Sequence, residues 1–213
     1  MPLRASSEFV WRDDAREKEI FGNDVTDDDL VQLKRIFGLE YLSVTGSLGV
    51  TDAGLVHLKE LTALEELGLG ETQVTDAGLV HLAELTRLKT LDLSARQLRG
   101  PGLKYLGMLT ALEFLDLRDT ELDDAGLAHL PVLPRLKELN LVRTQVGNAG
   151  LEHLKGFTAL EHLILTGTQV TDAGLVHLTG LTGLESLSLR ETQVTDAGIS
   201  ELQEALPNCR ISS

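Results

Sequence analysis

Leucines recurring every 24 residues constrain this chain more than any other feature. Leu61, Leu85, Leu109, Leu133 and Leu181, with Phe157, keep that step. Three positions on, Leu64, Leu88, Leu112, Leu136, Leu160 and Leu184 repeat it, and the pairs Leu67/Leu69 to Leu187/Leu189 follow. The run TQVTDAGLVHL stands at 72–82 and again, letter for letter, at 168–178. An earlier copy carries Ile36, Leu39, Leu42 and Val44, with one extra residue in SVTGSLGVTDAG. The count is seven full repeats reading LxxLxxLxLxxTxVTDAGLxxL. A fixed period of this length means stacked units, each completing its core on its neighbours.

Within a unit, LxL alternates with period two and predicts a short strand. DAGLxxL spaces its leucines for a short helix. Two positions could cap that helix: Thr51, Thr75, Arg99, Asp123, Gly147, Thr171, Thr195, or the residue after each. The second reads Asp52, Asp76, Gly100, Asp124, Asn148, Asp172, Asp196, all favoured caps, and the cap is assigned there. A glycine two residues later recurs from Gly54 to Gly198, although glycine destabilises a helix by about 0.5–1 kcal/mol. Close approach to the preceding repeat accounts for it. The half-repeat VTDDDLVQL has Asp29 there instead, as expected of a capping unit with nothing tight outside it. Strands stack ~4.8 Å apart and packed helices ~8–10 Å, so the array must curve with its strands inside.

These residues resemble the leucine-rich repeat superfamily, in a bacterial form with a TDAGL helix segment, similar to its ribonuclease-inhibitor-like and cysteine-containing subclasses. The resemblance covers about residues 25–213. It implies an α/β fold: a right-handed solenoid, or horseshoe, with a parallel sheet on the concave face and short helices on the convex face. The domain reading is an N-terminal cap segment at 1–24 and the repeat domain at 25–213. That domain divides into a half-repeat at 25–35, seven repeats at 36–204 and a closing partial repeat at 205–213. Where the superfamily carries Asn or Cys, this chain has Thr72, Thr120, Thr144, Thr168 and Thr192. Arg96 breaks the row and RGPG replaces TDAG after it, which predicts a local distortion at 96–102. The opening EFVWRDDAREKEIFG is expected to cover the first repeat as a short extended piece and a helix ending near Gly22.

Composition excludes several functions. A net charge of −14 opposes nucleic acid and anionic membranes, since phosphate binding needs clustered Lys and Arg. No run of eighteen apolar residues predicts a membrane span, and the opening residues lack the apolar stretch of a signal peptide. One cysteine, Cys209, precludes an intrachain disulfide and favours the cytoplasm. His57, His81, His129, His153 and His177 share one helix position but have no consistent third ligand, so neither metal nor cofactor is expected. Cys209 reads as packing. The acidic run at 24–30 reads as carboxylates complementing a helix N-terminus rather than a calcium loop. HExxH, Walker and GxSxG motifs are lacking, so the chain is not expected to be an enzyme.

Function must then lie where the copies differ. Strand residues between the leucines face away from the core. The candidate partner-binding residues there are Tyr41, Glu66, Asp92, Phe114, Asp116, Arg118, Glu138, Asn140, Arg143, His162, Ile164 and Arg190. Glu71 and Asp119 add to an acidic early half, and Phe114 and Ile164 are expected to stand in the open. The resemblance implies a non-enzymatic scaffold binding a protein or peptide, with a basic partner favoured by charge. The alternatives are an inhibitor of a basic enzyme and a structural or self-assembly unit. A short C-terminal end predicts a monomer or weak dimer through an open strand edge.

Overall fold

A computed structural model describes residues 10–14, 17–34, 36, 38–94 and 97–213, with the backbone alone described for 10–21. Ten strands form one open sheet in chain order. β1 (Val10–Asp14) pairs antiparallel with β2 (Glu17–Phe21), and every later neighbour is parallel. β3 (Tyr41–Ser43), β4 (Glu66–Gly68), β5 (Thr90–Asp92), β6 (Phe114–Asp116) and β7 (Glu138–Asn140) follow. β8 (His162–Ile164), β9 (Ser186–Ser188) and β10 (Arg210–Ser212) complete the sheet. From β4 onward the strands start 24 residues apart, so the leucine period is the strand period. Register follows from it: Leu67 pairs with Leu91 and Leu91 with Leu115. Leu42, Leu67, Leu91, Leu115, Leu139, Leu163 and Leu187 are all buried, in one continuous core with the leucines of the helical side.

The helical side is short. α1 spans Asp27–Leu33, α2 Asp52–Leu55, α3 Asp124–Leu127, α4 Asn148–Glu152, α5 Asp172–Leu175 and α6 Asp196–Ala205. Tighter three-residue turns replace the helix at Gly78–Leu82 and Pro101–Met108. Each DAGL segment is thus barely one turn long.

The cap is not where the sequence placed it. Thr51, Asp123, Gly147, Thr171 and Thr195 hold the extended cap position, and the Asp or Asn after each is the first helical residue. Its side chain reaches the next repeat instead. Asp52 accepts the Thr75 backbone N–H at 2.8 Å and its hydroxyl at 2.6 Å. Asp27 takes both donors of Thr51, and Asp172 both donors of Thr195. Asp124 accepts from the Gly147 N–H and Asn148 from the Thr171 N–H. A position held by acceptors in every copy but one looked like a cap because caps need acceptors too. Here the acceptor clamps one unit to the next.

The recurrent glycine makes room for that clamp. A β-carbon on Gly78 would run into the Asp52 carboxylate, and one on Gly198 into Asp172. Asp29, at this position in the half-repeat, instead caps its own helix, accepting from Thr26 N at 3.0 Å and Thr26 Oγ1 at 2.7 Å. The threonines standing for Asn or Cys keep the loops closed: Thr72, Thr120, Thr144, Thr168 and Thr192 each donate to the carbonyl three residues back, at 2.6–2.8 Å.

Two segments depart from the common unit. Residues 95 and 96 lie outside the described residues, but the rest of the expected distortion is visible. Gly100 takes a left-handed φ of 114°, and Asp76 gathers the N–H groups of Arg99, Gly100 and Gly102. The opening segment forms a hairpin, not the extended piece and helix expected. β2 supplies hydrogen bonds to the edge of β3, with Glu19 opposite Tyr41, and an otherwise bare edge is the physical reason for a strand there. Phe9 lies outside the described residues.

Candidate functional site

Three rows of the strand face run across the sheet in register. One carries Tyr41, Glu66, Thr90, Phe114, Glu138, His162 and Ser186. Another carries Ser43, Gly68, Asp92, Asp116, Asn140, Ile164 and Ser188. Past the strands comes a third, of backbone in the left-handed region: Glu71, Asp119, Arg143 and Glu191 at φ 54–57°, with Gly46 and Gly167 in the same place.

The middle row is less open than its alternation suggests. Asp116 is only 4% exposed and Asn140 8%. Asp116 accepts the Arg118 backbone N–H at 2.9 Å and the Asn140 amide at 3.3 Å, with the Arg118 guanidinium 3.3 Å away. Asp92 accepts from the backbone and hydroxyl of Ser94. Burial pushes the Asp116 carboxyl up from the usual carboxylate range, and the neighbouring Asp92 adds to it, against the pull of Arg118 and Asn140. Phe114 and Ile164 do not stand in the open; both are half-buried, since neighbouring strands only ~4.8 Å away flank each side chain.

The expected residues divide between two depressions. Arg118, Asn140 and Arg143 line one of about 770 Å³, together with Leu48, Glu71, Gln73, Ser94 and Gln97. Glu66, Phe114, Glu138 and His162 line another of about 410 Å³, with Lys89, Glu113, Lys137 and Glu161. Tyr41, Asp92, Asp116, Ile164 and Arg190 line neither of these two. Leu48 was missed because a lone leucine in a loop has no periodicity. Its signal was the extra residue in the first repeat.

A second missed pattern has a period of 48. ALE at 63–65 and 111–113 alternates with RLK at 87–89 and 135–137. The alternation builds ion pairs along the strand starts: Arg87–Glu65 at 2.6 Å, Lys89–Glu65 at 2.5 Å and Lys137–Glu113 at 2.8 Å. The side chains are partly exposed, so solvent screens each pair and its contribution to stability is small. Hydrogen bonds from Lys89 and Arg87 hold Glu65 below the usual carboxylate range, and one from Lys137 does so for Glu113.

Elsewhere the side chains carry little chemistry. His57, His81 and His177 are half-buried and His129 and His153 exposed. Among the described residues, no three His, Cys, Asp or Glu side chains are grouped to hold a metal. Cys209 is 4% exposed in the closing strand region, and burial pushes its thiol up, away from the reactive thiolate. No helix among the described residues is long and apolar enough to cross a membrane.

One strand and one helical turn per 24 residues, clamped laterally and sharing a single core, define a parallel repeat solenoid. The chain is a leucine-rich repeat protein. A family model described as Leucine Rich repeat matches residues 158–178. The crystal structure of internalin C2 from Listeria monocytogenes is similar over 88% of this chain and 73% of its own, at 28% identity and a TM-score of 0.64. No curated protein sequence matches the chain. With 354 solved chains sharing the architecture, the fold alone singles out no function.

Proposed function

We propose that this protein is a non-enzymatic recognition scaffold whose strand face binds a protein or peptide. Leucine-rich repeat folds serve typically as protein-interaction scaffolds, and the particular face is our assignment. One observation carries it. Apart from the repeat that carries Arg96 and Gly100, the clamp, glycine and threonine closure recur from unit to unit, while the strand rows in register change from copy to copy. A framework held so constant leaves those rows free to be shaped by a partner. Phe114 and the arginines Arg118, Arg143 and Arg190 belong to residue types enriched at interfaces. We place the protein in the cytoplasm on its cysteine usage.

The test is an affinity capture from a lysate of the source organism, comparing wild type with Phe114→Ala/Arg143→Glu/Ile164→Asp after circular dichroism shows that both fold. A protein captured by wild type and lost with the variant supports the reading. Equal capture by both overturns it.

A further inference from the structure

We propose that the smaller depression, at the strand starts, docks an arginine-bearing segment of a partner protein, its guanidinium laid on the Phe114 ring and held by the Glu138 carboxylate. This inference rests on the scaffold reading above and narrows it to one rim of the strand face.

Phe114 has no packing task that explains it. The core position of its strand belongs to Leu115, which is fully buried, whereas Phe114 lies outside the hydrophobic core. In the same row the preceding repeat makes its strand with Thr90 and the following one with Glu138. Apart from the His162 imidazole, Phe114 is the only ring among the residues lining the depression. Half-buried between polar neighbours, it leaves the rest of its surface to a ligand.

Charge selects what lies on it. Glu66, Glu113, Glu138 and Glu161 line the depression against two cations, Lys89 and Lys137. Both lysines are already engaged, Lys89 by Glu65 at 2.5 Å and Lys137 by Glu113 at 2.8 Å. Glu66, Glu138 and Glu161 form no ion pair among the described residues. With His162 neutral, the lining therefore carries a net charge of −2. Groups just outside leave that balance as it is: Arg87 offsets Glu65, and exposed Arg135 offsets exposed Glu185. The turn-side depression, by contrast, sets Arg118 and Arg143 against Glu71 and Asp119 and selects no sign.

Geometry favours arginine over lysine. Glu138 is the in-register neighbour of Phe114 on the next strand, ~4.8 Å away. A planar guanidinium stacks on a ring and still offers its edge to a carboxylate, which a compact ammonium does less well. From Glu66 to His162 the depression crosses four strand spacings, about 19 Å, the reach of roughly six extended residues. Such a segment sets its arginine on Phe114 and has room for a second cationic side chain toward Glu66 or Glu161.

The experiment pans a phage-displayed random dodecapeptide library on immobilised protein and measures synthetic copies of the selected peptides by fluorescence anisotropy. Four proteins are compared after circular dichroism shows that each folds: wild type, Phe114→Thr, Glu138→Gln/Glu161→Gln, and the control Arg143→Glu/Ile164→Asp, outside the depression. Phe114→Thr repeats what Thr90 already does, and the glutamines keep the shape while removing the charge. Wild type is expected to enrich arginine-containing peptides whose affinity falls about tenfold in each of the first two variants and stays unchanged in the control. Exchanging the peptide's arginine for lysine should also weaken binding. Selected peptides without arginine, equal binding of the lysine peptide, or full affinity in either of the first two variants overturns the site. Loss confined to Arg143→Glu/Ile164→Asp also overturns it but keeps the scaffold reading. No enrichment, or indifference to every variant, removes both.

Discussion

Valine in place of Gly126 is the sharpest test of how the repeats are held together. A β-carbon at this position lands on the backbone carbonyl oxygen of Arg99, well inside van der Waals contact, with Leu122 Cδ1 at 2.8 Å. The Arg99 carbonyl belongs to backbone pinned by three hydrogen bonds to Asp76, so it cannot swing aside as a side-chain tip would. Overpacking of this kind costs about 1–3 kcal/mol. Displacing α3 also loosens the Asp123 cap on the Gly126 N–H, now 2.8 Å, for about 1 kcal/mol more. Reduced freedom of the unfolded chain returns about 0.4–1 kcal/mol. The net is about 2 kcal/mol, or roughly 4–8 °C in Tm for a chain of this size. Gly180→Ala is the control: nothing lies within 4 Å of its added carbon, so it should gain about 0.4–1 kcal/mol. Urea and thermal unfolding followed by circular dichroism at 222 nm measure both. A Gly126→Val midpoint equal to wild type would refute the close-approach argument, whatever Gly180→Ala does.

Three other perturbations test separate parts of the structure. The Thr195 N–H and hydroxyl hold the Asp172 carboxyl below its ordinary range. A depressed folded value stabilises above the unfolded pKa and loses that contribution as pH falls through the folded one, so Asp172→Asn should flatten the acid side of the stability–pH curve. A curve as steep as wild type's contradicts the clamp. Asp116 is raised by burial, the opposite sign: its ionisation weakens folding as pH rises through the folded value. Asp116→Asn should therefore gain more stability at pH 7 than at pH 3, and a urea midpoint difference independent of pH refutes the assignment. His81→Gln/His177→Gln should leave Tm unchanged and zinc titration calorimetry flat in both proteins; a wild-type zinc signal lost in the variant revives the row as a metal site.

Period, strand positions and core were legible because each rests on apolar residues recurring at fixed steps, and nothing but leucine spacing was needed to place β4 to β9. The clamp was not, because acceptor chemistry alone does not say which N–H is accepted. Asp, Asn and Thr suit a helix cap and an inter-repeat hydrogen bond equally; only the position of the neighbouring repeat decides. The hairpin of β1 and β2 was illegible for a related reason. A segment as charged as REKEIF has no strong helical or strand period, and it is the open edge of β3 that recruits it. At the candidate site the sequence identified the rows and their variation. It could not foresee that Asp116 and Asn140 bond to each other, or that the turns bring Leu48 and Arg143 to one groove.

The clamp also changes what the net charge means. Asp27, Asp52, Asp76, Asp124 and Asp172 each spend a carboxylate on backbone of the following repeat. Asn148 performs the same task without charge, accepting the Thr171 N–H and donating its amide to the Thr171 hydroxyl. The clamp therefore needs an acceptor, not an anion, and five of the 33 acidic residues report how the stack is built. A total of −14 is accordingly a poor guide to a partner. What a partner meets is local: the flank of Glu65, Lys89, Glu113 and Lys137 is ion-paired, and in the turn-side depression Glu71 and Asp119 are matched in number by Arg118 and Arg143.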